Sequence, residues 1–207
     1  MANADAHYYQ PADGHGLKHD PLNSIIGPRP IGWIASLSAA GVANLAPYSF
    51  FNAFNYRPPI IGFASTGRKD SLNNIEATKE FVWNLATRPL AERMNATSAT
   101  VAPEVDEFGL GGLTPVASRL VKPPRVLESP VNFECRLTQI LQLQSAAGDK
   151  IETWLVLGEV VAVHIERQLL VDGVYDTAAA RPILRAGGLG YYAEIRPDAM
   201  FEMLRPR

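Results

Sequence analysis

The chain has 207 residues, 47% of them hydrophobic and 19% charged, which suits one sizeable domain that folds without disulfides or a metal. Its 19 Lys and Arg against 21 Asp and Glu leave a formal net charge of −2, which argues against nucleic acid as a partner, because binding a phosphate backbone needs a strongly basic surface. The lone cysteine, Cys135, excludes an intrachain disulfide framework and fits a reducing, cytoplasmic setting, and no apolar run is long enough to span a membrane.

Residues 1–24, MANADAHYYQPADGHGLKHDPLNS, read as a polar arm with three histidines and no apolar core of a secretory signal. Residues 25–207 read as one domain. PRPIGWIASLSAAGVANLAPYSFF predicts a hairpin, apolar from Ile31 to Leu37, turning at SAAG and resuming from Val42 to Leu45. PPIIGFAS is a short β-rich run, and DSLNNIEATKE predicts a helix with Asp70 or Ser71 as N-cap and Leu72, Ile75 and Thr78 on one face. FVWNLAT reads as a strand and RPLAERMNATSAT as a second helix, with Pro89 in its first turn. VAPEVDEFGLGGLTPVAS is loop-rich, and NFECRLTQILQL and KIETWLVLGEVVAVHI predict two strands joined at SAAGDK. Strands joined by hairpins, with only two or three helices, favour a mainly β antiparallel barrel over a doubly wound sheet.

STGRKDSLNN carries the strongest candidate site. Arg68 and Lys69 offer charge, Ser65, Thr66 and Ser71 offer hydroxyls, and the first N–H groups of the following helix add partial positive charge, a combination suited to a phosphate. The competing reading is a solvated turn with an N-cap. NLAPYSFFN, with Asn44, Tyr48, Ser49 and Asn52, is too polar for plain core and too aromatic for plain surface; it reads as the wall of a planar ligand or as a bent strand edge. Trp33 and Ser36 lie on the neighbouring strand, where an isolated tryptophan is more often core. GLGYYA matches a dinucleotide fingerprint formally but leaves no room after it for the βαβ unit. His15 and His19 lack the glutamate of a zinc helix, so no metal is expected. Cys135 lies in a strand-like run and reads as a buried, inert thiol, and His164, among apolar residues, reads as a satisfied core or interface histidine rather than a base.

Taken in order, these segments resemble the flavin reductase-like family of FMN-binding split barrels. The resemblance rests on RPIGWIASLSAAGVANLAPYSFFNAFNYRPPIIGFAS followed by GRKDSLNNIEATKEFVWNLAT, with a weaker block in LGEVVAVHI, DGVYD and RPILRAGGLGYY. It implies an antiparallel Greek-key-type barrel that binds FMN in preference to FAD. Arg68, Lys69 and Ser71 would hold the phosphate, with a hydroxyl from Ser36; Ser65 is counted with the cofactor site from its place in the STGRKDSLNN turn. Ala46, Pro47, Tyr48, Ser49 and Asn52 would line the ring and ribityl chain, mainly through backbone groups, and Trp33 is counted with the cofactor site from its place on the neighbouring strand. Many relatives carry serine where this chain has Ala35. The resemblance further implies a homodimer, NAD(P)H as hydride donor, and an electron acceptor that could be a monooxygenase; catalytic residues stay unassigned because hydride transfer to a flavin needs no acid or base. Alternatives are a non-catalytic FMN carrier and an oxidase of the pyridoxamine-phosphate type.

Overall fold

IGWIASL lacks the polar–apolar alternation of a half-exposed strand because both faces of that strand are buried. In the computed structural model, which describes residues 5–206, it forms β1 (Gly32–Leu37). Ile34 joins an inner cluster with Phe63, Phe81, Trp83 and Val156, whereas Trp33 and Ala35 join an outer one with Val82, Met94, Phe108 and Val126. The expected hairpin forms: β2 (Ala43–Tyr48) pairs with β1 from Ala43 opposite Leu37 to Tyr48 opposite Gly32.

β3 (Phe51–Tyr56) and β4 (Pro59–Thr66) make the next hairpin, and α1 (Asp70–Thr78) follows. Leu72 and Ile75, one turn apart, bury α1 against the inner cluster. Its N-cap is Lys69, and no side chain caps the first turn, contrary to the Asp70 or Ser71 cap that the sequence suggested. β5 (Glu80–Asn84) comes next, with Phe81 and Trp83 facing inward and Val82 outward.

The helix expected over 88–100 is shorter. A 3-10 turn at Arg88–Leu90 leads into α2 (Ala91–Ala96), which stops where the Thr97 and Ser98 hydroxyls donate back to the carbonyls of Met94 at 2.7 Å and Asn95 at 2.6 Å. A single turn, α3 (Glu107–Leu110), appears inside the stretch read as loop, capped by Asp106, whose carboxylate accepts from the Phe108 N–H at 2.9 Å.

The long hairpin β6 (Val131–Gln144) and β7 (Lys150–Ile165) completes a seven-stranded antiparallel sheet in the order β2-β1-β5-β6-β7-β4-β3. Its edge strands β2 and β3 stand at opposite ends of that order yet are separated in the chain only by Ser49 and Phe50. Both can hold only if the sheet curls round on itself, so the strands form a barrel split at the β2–β3 seam. The passage from β4 through α1 to β5 skips the inserted β6–β7 pair, as in a Greek key. A smaller sheet adds Arg29–Pro30, β8 (Ile183–Gly187) and β9 (Tyr191–Glu194), and the GLGYYA match falls on the β8–β9 turn and β9 itself. Among the described residues no helix is long and apolar enough to cross a membrane.

Gly158 sits at a register shift in β7, where an added Cβ would lie 2.3 Å from the Phe81 ring and 3.2 Å from the Arg136 carbonyl oxygen. Phe81 is fully buried and has nowhere to go. Gly158→Ala is therefore expected to lower stability by about 1–3 kcal/mol, read as a lower denaturant midpoint.

Candidate functional site

The end of β2, the turn into α1 and the loop after α2 close around a cavity of about 480 Å³. Of the residues expected at a ligand, Ala46, Pro47, Tyr48, Arg68, Lys69 and Ser71 line it together. Others stand elsewhere. Ser36 is fully buried behind the wall, bonded to Asn44 and Asn74, and Ser65 is buried too, donating to the Gly67 carbonyl at 2.9 Å. Trp33 belongs to the outer core and reaches the pocket only through its indole N–H, which donates to the Thr97 hydroxyl at 3.0 Å. The Ser49 carbonyl accepts from Arg29 at 3.0 Å, while Asn52 lines a different, apolar cavity of about 420 Å³ beside Phe51, Trp83 and Tyr175.

The charge at the pocket is asymmetric. Lys69 is exposed and makes no salt bridge among the described residues. Arg68 lies over the Trp154 ring at 5.5 Å, donates to Asn73 at 3.2 Å and pairs with Glu76 on the surface. The uncapped first turn of α1 faces the same space and contributes partial positive charge. The Tyr48 hydroxyl is buried and has no hydrogen-bond partner among the described residues. Burial pushes its pKa up; the nearby Ser71 and Ser65 hydroxyls pull the other way, but neither bonds it, since they donate to Asn44 and to the Gly67 carbonyl. Burial likewise raises the Glu107 carboxyl, opposed by the Leu45 N–H and the Asn44 amide that bond it.

This arrangement fits an anionic group at the α1 end and a flat apolar body against Pro47 and Ala46. An exposed cation without a salt bridge, a helix N-terminus without a side-chain cap and an unsatisfied buried hydroxyl are what a phosphate ester would use. The remaining walls come from Thr97 to Val101, Pro103 and Glu107. Sequence reasoning passed over these because they lie far along the chain from Arg68 and carry no motif. The early stop of α2, encoded in the Thr97 and Ser98 hydroxyls, is the one local signal that could have flagged a loop there.

Comparison with known proteins converges on the same architecture. The model of the flavin reductase like domain matches residues 27–183. The chain belongs to the flavin reductase-like family. An uncharacterized protein of Aquifex aeolicus is 36% identical to this family member, covering 86% of this chain and 90% of its own. Among solved structures, nitrilotriacetate monooxygenase component B from Bacillus cereus superposes with a TM-score of 0.81 at 30% identity, covering 90% of this chain and 98% of its own. The 2-nitrobenzoate 2-nitroreductase NbaA of Pseudomonas fluorescens superposes with a TM-score of 0.77 at 28% identity, covering 89% and 88%. The split-barrel fold and a flavin-related oxidoreductase role follow for this flavin reductase-like protein.

Proposed function

We propose that this protein is an NAD(P)H-dependent flavin reductase that binds FMN in the pocket between β2, α1 and the loop after α2. The observation that carries the reading is the convergence there of Lys69, the uncapped first turn of α1 and the unpartnered Tyr48 hydroxyl. When bound, FMN supplies two-electron redox chemistry, accepting a hydride from a nicotinamide. The chain's part is binding and orientation. Lys69 and the N–H groups of Asp70 and Ser71 hold the phosphate, with Arg68 released from its surface pair to join them. Ala46 and Pro47 form the wall for the ribityl chain and ring. Asp70 and Glu107 are the acids on the wall, and Glu107 is already engaged with Asn44 and the Leu45 N–H, so neither is given a proton-transfer role.

A homodimer belongs to the same reading. The edge strand β3 leaves Phe54 53% and Tyr56 82% exposed, and Leu141 and Ile151 near the β6–β7 turn are 46% and 42% exposed. Apolar surface of this extent, on a sheet edge and at the end of a long hairpin, calls for a covering partner. The Bacillus cereus relative is named as a monooxygenase component, and a monooxygenase is the acceptor we propose for the reduced flavin.

The test is an absorbance titration of the purified protein with FMN, followed by anaerobic NADH and then NADPH. Stoichiometric uptake and prompt bleaching of the oxidised-flavin band by one of the two are expected. Uptake without bleaching by either would leave a flavin carrier, and no uptake would remove the flavin from this pocket.

A further inference from the structure

Asn44 stands at the centre of a polar network behind the pocket wall. It is 7% exposed, and its side-chain oxygen accepts from the Ser71 hydroxyl at 2.8 Å and the Ser36 hydroxyl at 3.2 Å. Its amide nitrogen donates to Glu107 Oε1 at 2.9 Å, and Glu107 Oε2 accepts from the Leu45 N–H at 3.1 Å. Glu107 itself is 5% exposed. An ionised carboxylate only accepts, so it forces the NH2 group of Asn44 toward itself and the carbonyl oxygen toward the two serines. The Ser71 proton is thereby committed to Asn44. Ser71 is the second residue of α1, so its side chain is tied down where the first turn meets the pocket.

We propose that Glu107 is a positioning residue for the phosphate end of the pocket. Acting through Asn44, it fixes the Ser71 side chain and the first turn of α1, and so sets the preference for phosphorylated over unphosphorylated flavin. The inference rests on the FMN reading above. Glu107 reaches the network from α3, 36 positions beyond Ser71 in the chain, and ties the loop wall of the pocket to its barrel wall. Without it the Asn44 amide is free to turn over, and the donors and acceptors at Ser71 and Ser36 exchange roles.

The network's polarity can be reversed without changing net charge. Glu107→Gln alone sets one amide NH2 against another or makes Asn44 flip. Asn44→Asp alone sets two carboxylates together. In the double variant the introduced glutamine donates to the introduced aspartate, which still accepts from Ser71 and Ser36. Dissociation constants for FMN and for riboflavin would be measured on wild type, both single variants and the double.

Each single variant is expected to weaken FMN about tenfold, the scale of one lost charge-assisted hydrogen bond, and to leave riboflavin within about twofold. The double variant is expected to return FMN to within about threefold of wild type, as coupled neighbours do. Unchanged FMN affinity in the singles, equal weakening of both flavins, or a double variant no better than the singles would each overturn the assignment. If the single variants do not fold, Glu107→Asp keeps the charge and withdraws it by one methylene; the same selective loss of FMN is expected, and an unchanged FMN constant overturns the role. A wild-type protein that binds neither flavin overturns the FMN reading itself, a result separable from all of these.

Discussion

FMN affinity is expected to fall by more than about tenfold when Arg68 and Lys69 are both replaced by alanine, since each charge-assisted bond to a phosphate is worth about 1.5–3 kcal/mol. The two cations are not equivalent. Lys69 has no carboxylate partner among the described residues, whereas Arg68 is held by Glu76, Asn73 and the Trp154 ring. Arg68 can leave that arrangement cheaply, because the Arg68 and Glu76 side chains are 44% and 47% exposed and pairs so exposed contribute only about 0–1 kcal/mol. Lys69→Ala alone should therefore carry most of the loss, and Arg68→Ala less. Raising the salt concentration should weaken FMN in the wild type more than in the double variant, because exposed cations are screened. Fluorescence titration reads all of these, and an unchanged FMN constant in the double variant would remove the phosphate assignment.

The largest loss of stability is expected at Glu134, which lies outside the pocket. Its fully buried carboxylate accepts from the backbone N–H groups of Arg119 at 2.8 Å, Leu120 at 2.6 Å and Val121 at 3.2 Å, and contacts His164 Nε2 at 2.6 Å. It thus pins the 119–121 segment onto β6. Glu134→Leu strands those donors and is expected to cost about 3–5 kcal/mol, the range for breaking a buried charged network. Burial pushes this carboxyl up, but the Arg119 N–H, the His164 ring and the Leu120 N–H together hold it below its ordinary value. A carboxyl lowered in the folded state stabilises above its unfolded pKa, and that contribution disappears as pH falls through the folded pKa. Glu134→Gln should accordingly narrow its deficit against wild type as the solution is acidified. Thermal melts across that range check both points; equal deficits at all pH values would show that the charge is not what matters.

His164 illustrates how far the sequence could be read. In VVAVHI it reads as a satisfied core or interface histidine, and it is satisfied, though only partly buried, but nothing in that run names Glu134 as the partner. The strands were legible because their apolar residues are contiguous and their turns carry Gly, Asp and Ser. FVW divides between two cores one residue at a time, as a strand must. The RKDS end of the pocket was legible because its charges are adjacent in the chain. Ser36 and Ser65 looked equally available, yet both are fully buried behind the wall, a consequence of barrel curvature that composition does not carry. Asn52 lies past the seam, beside a different cavity. Glu107 and the Thr97 loop arrive through tertiary packing of α2 and α3, for which the Gly- and Pro-rich middle of the chain gives no periodic signal.

The insertion of β6 and β7 between β5 and β4 has a consequence for the nascent chain. Residues 32–84 carry five of the seven strands of the sheet, in two groups that do not hydrogen-bond to each other until the hairpin at residues 131–165 joins them. At about 5–20 residues per second on the ribosome, several seconds pass between the emergence of those strands and of the hairpin that closes them. During that interval the β5 edge and the β4 edge are both open, and Phe81 and Trp83 have no lid. Closure is a late, long-range event, and the first half of this chain is the part that a cell's chaperones would have to shield.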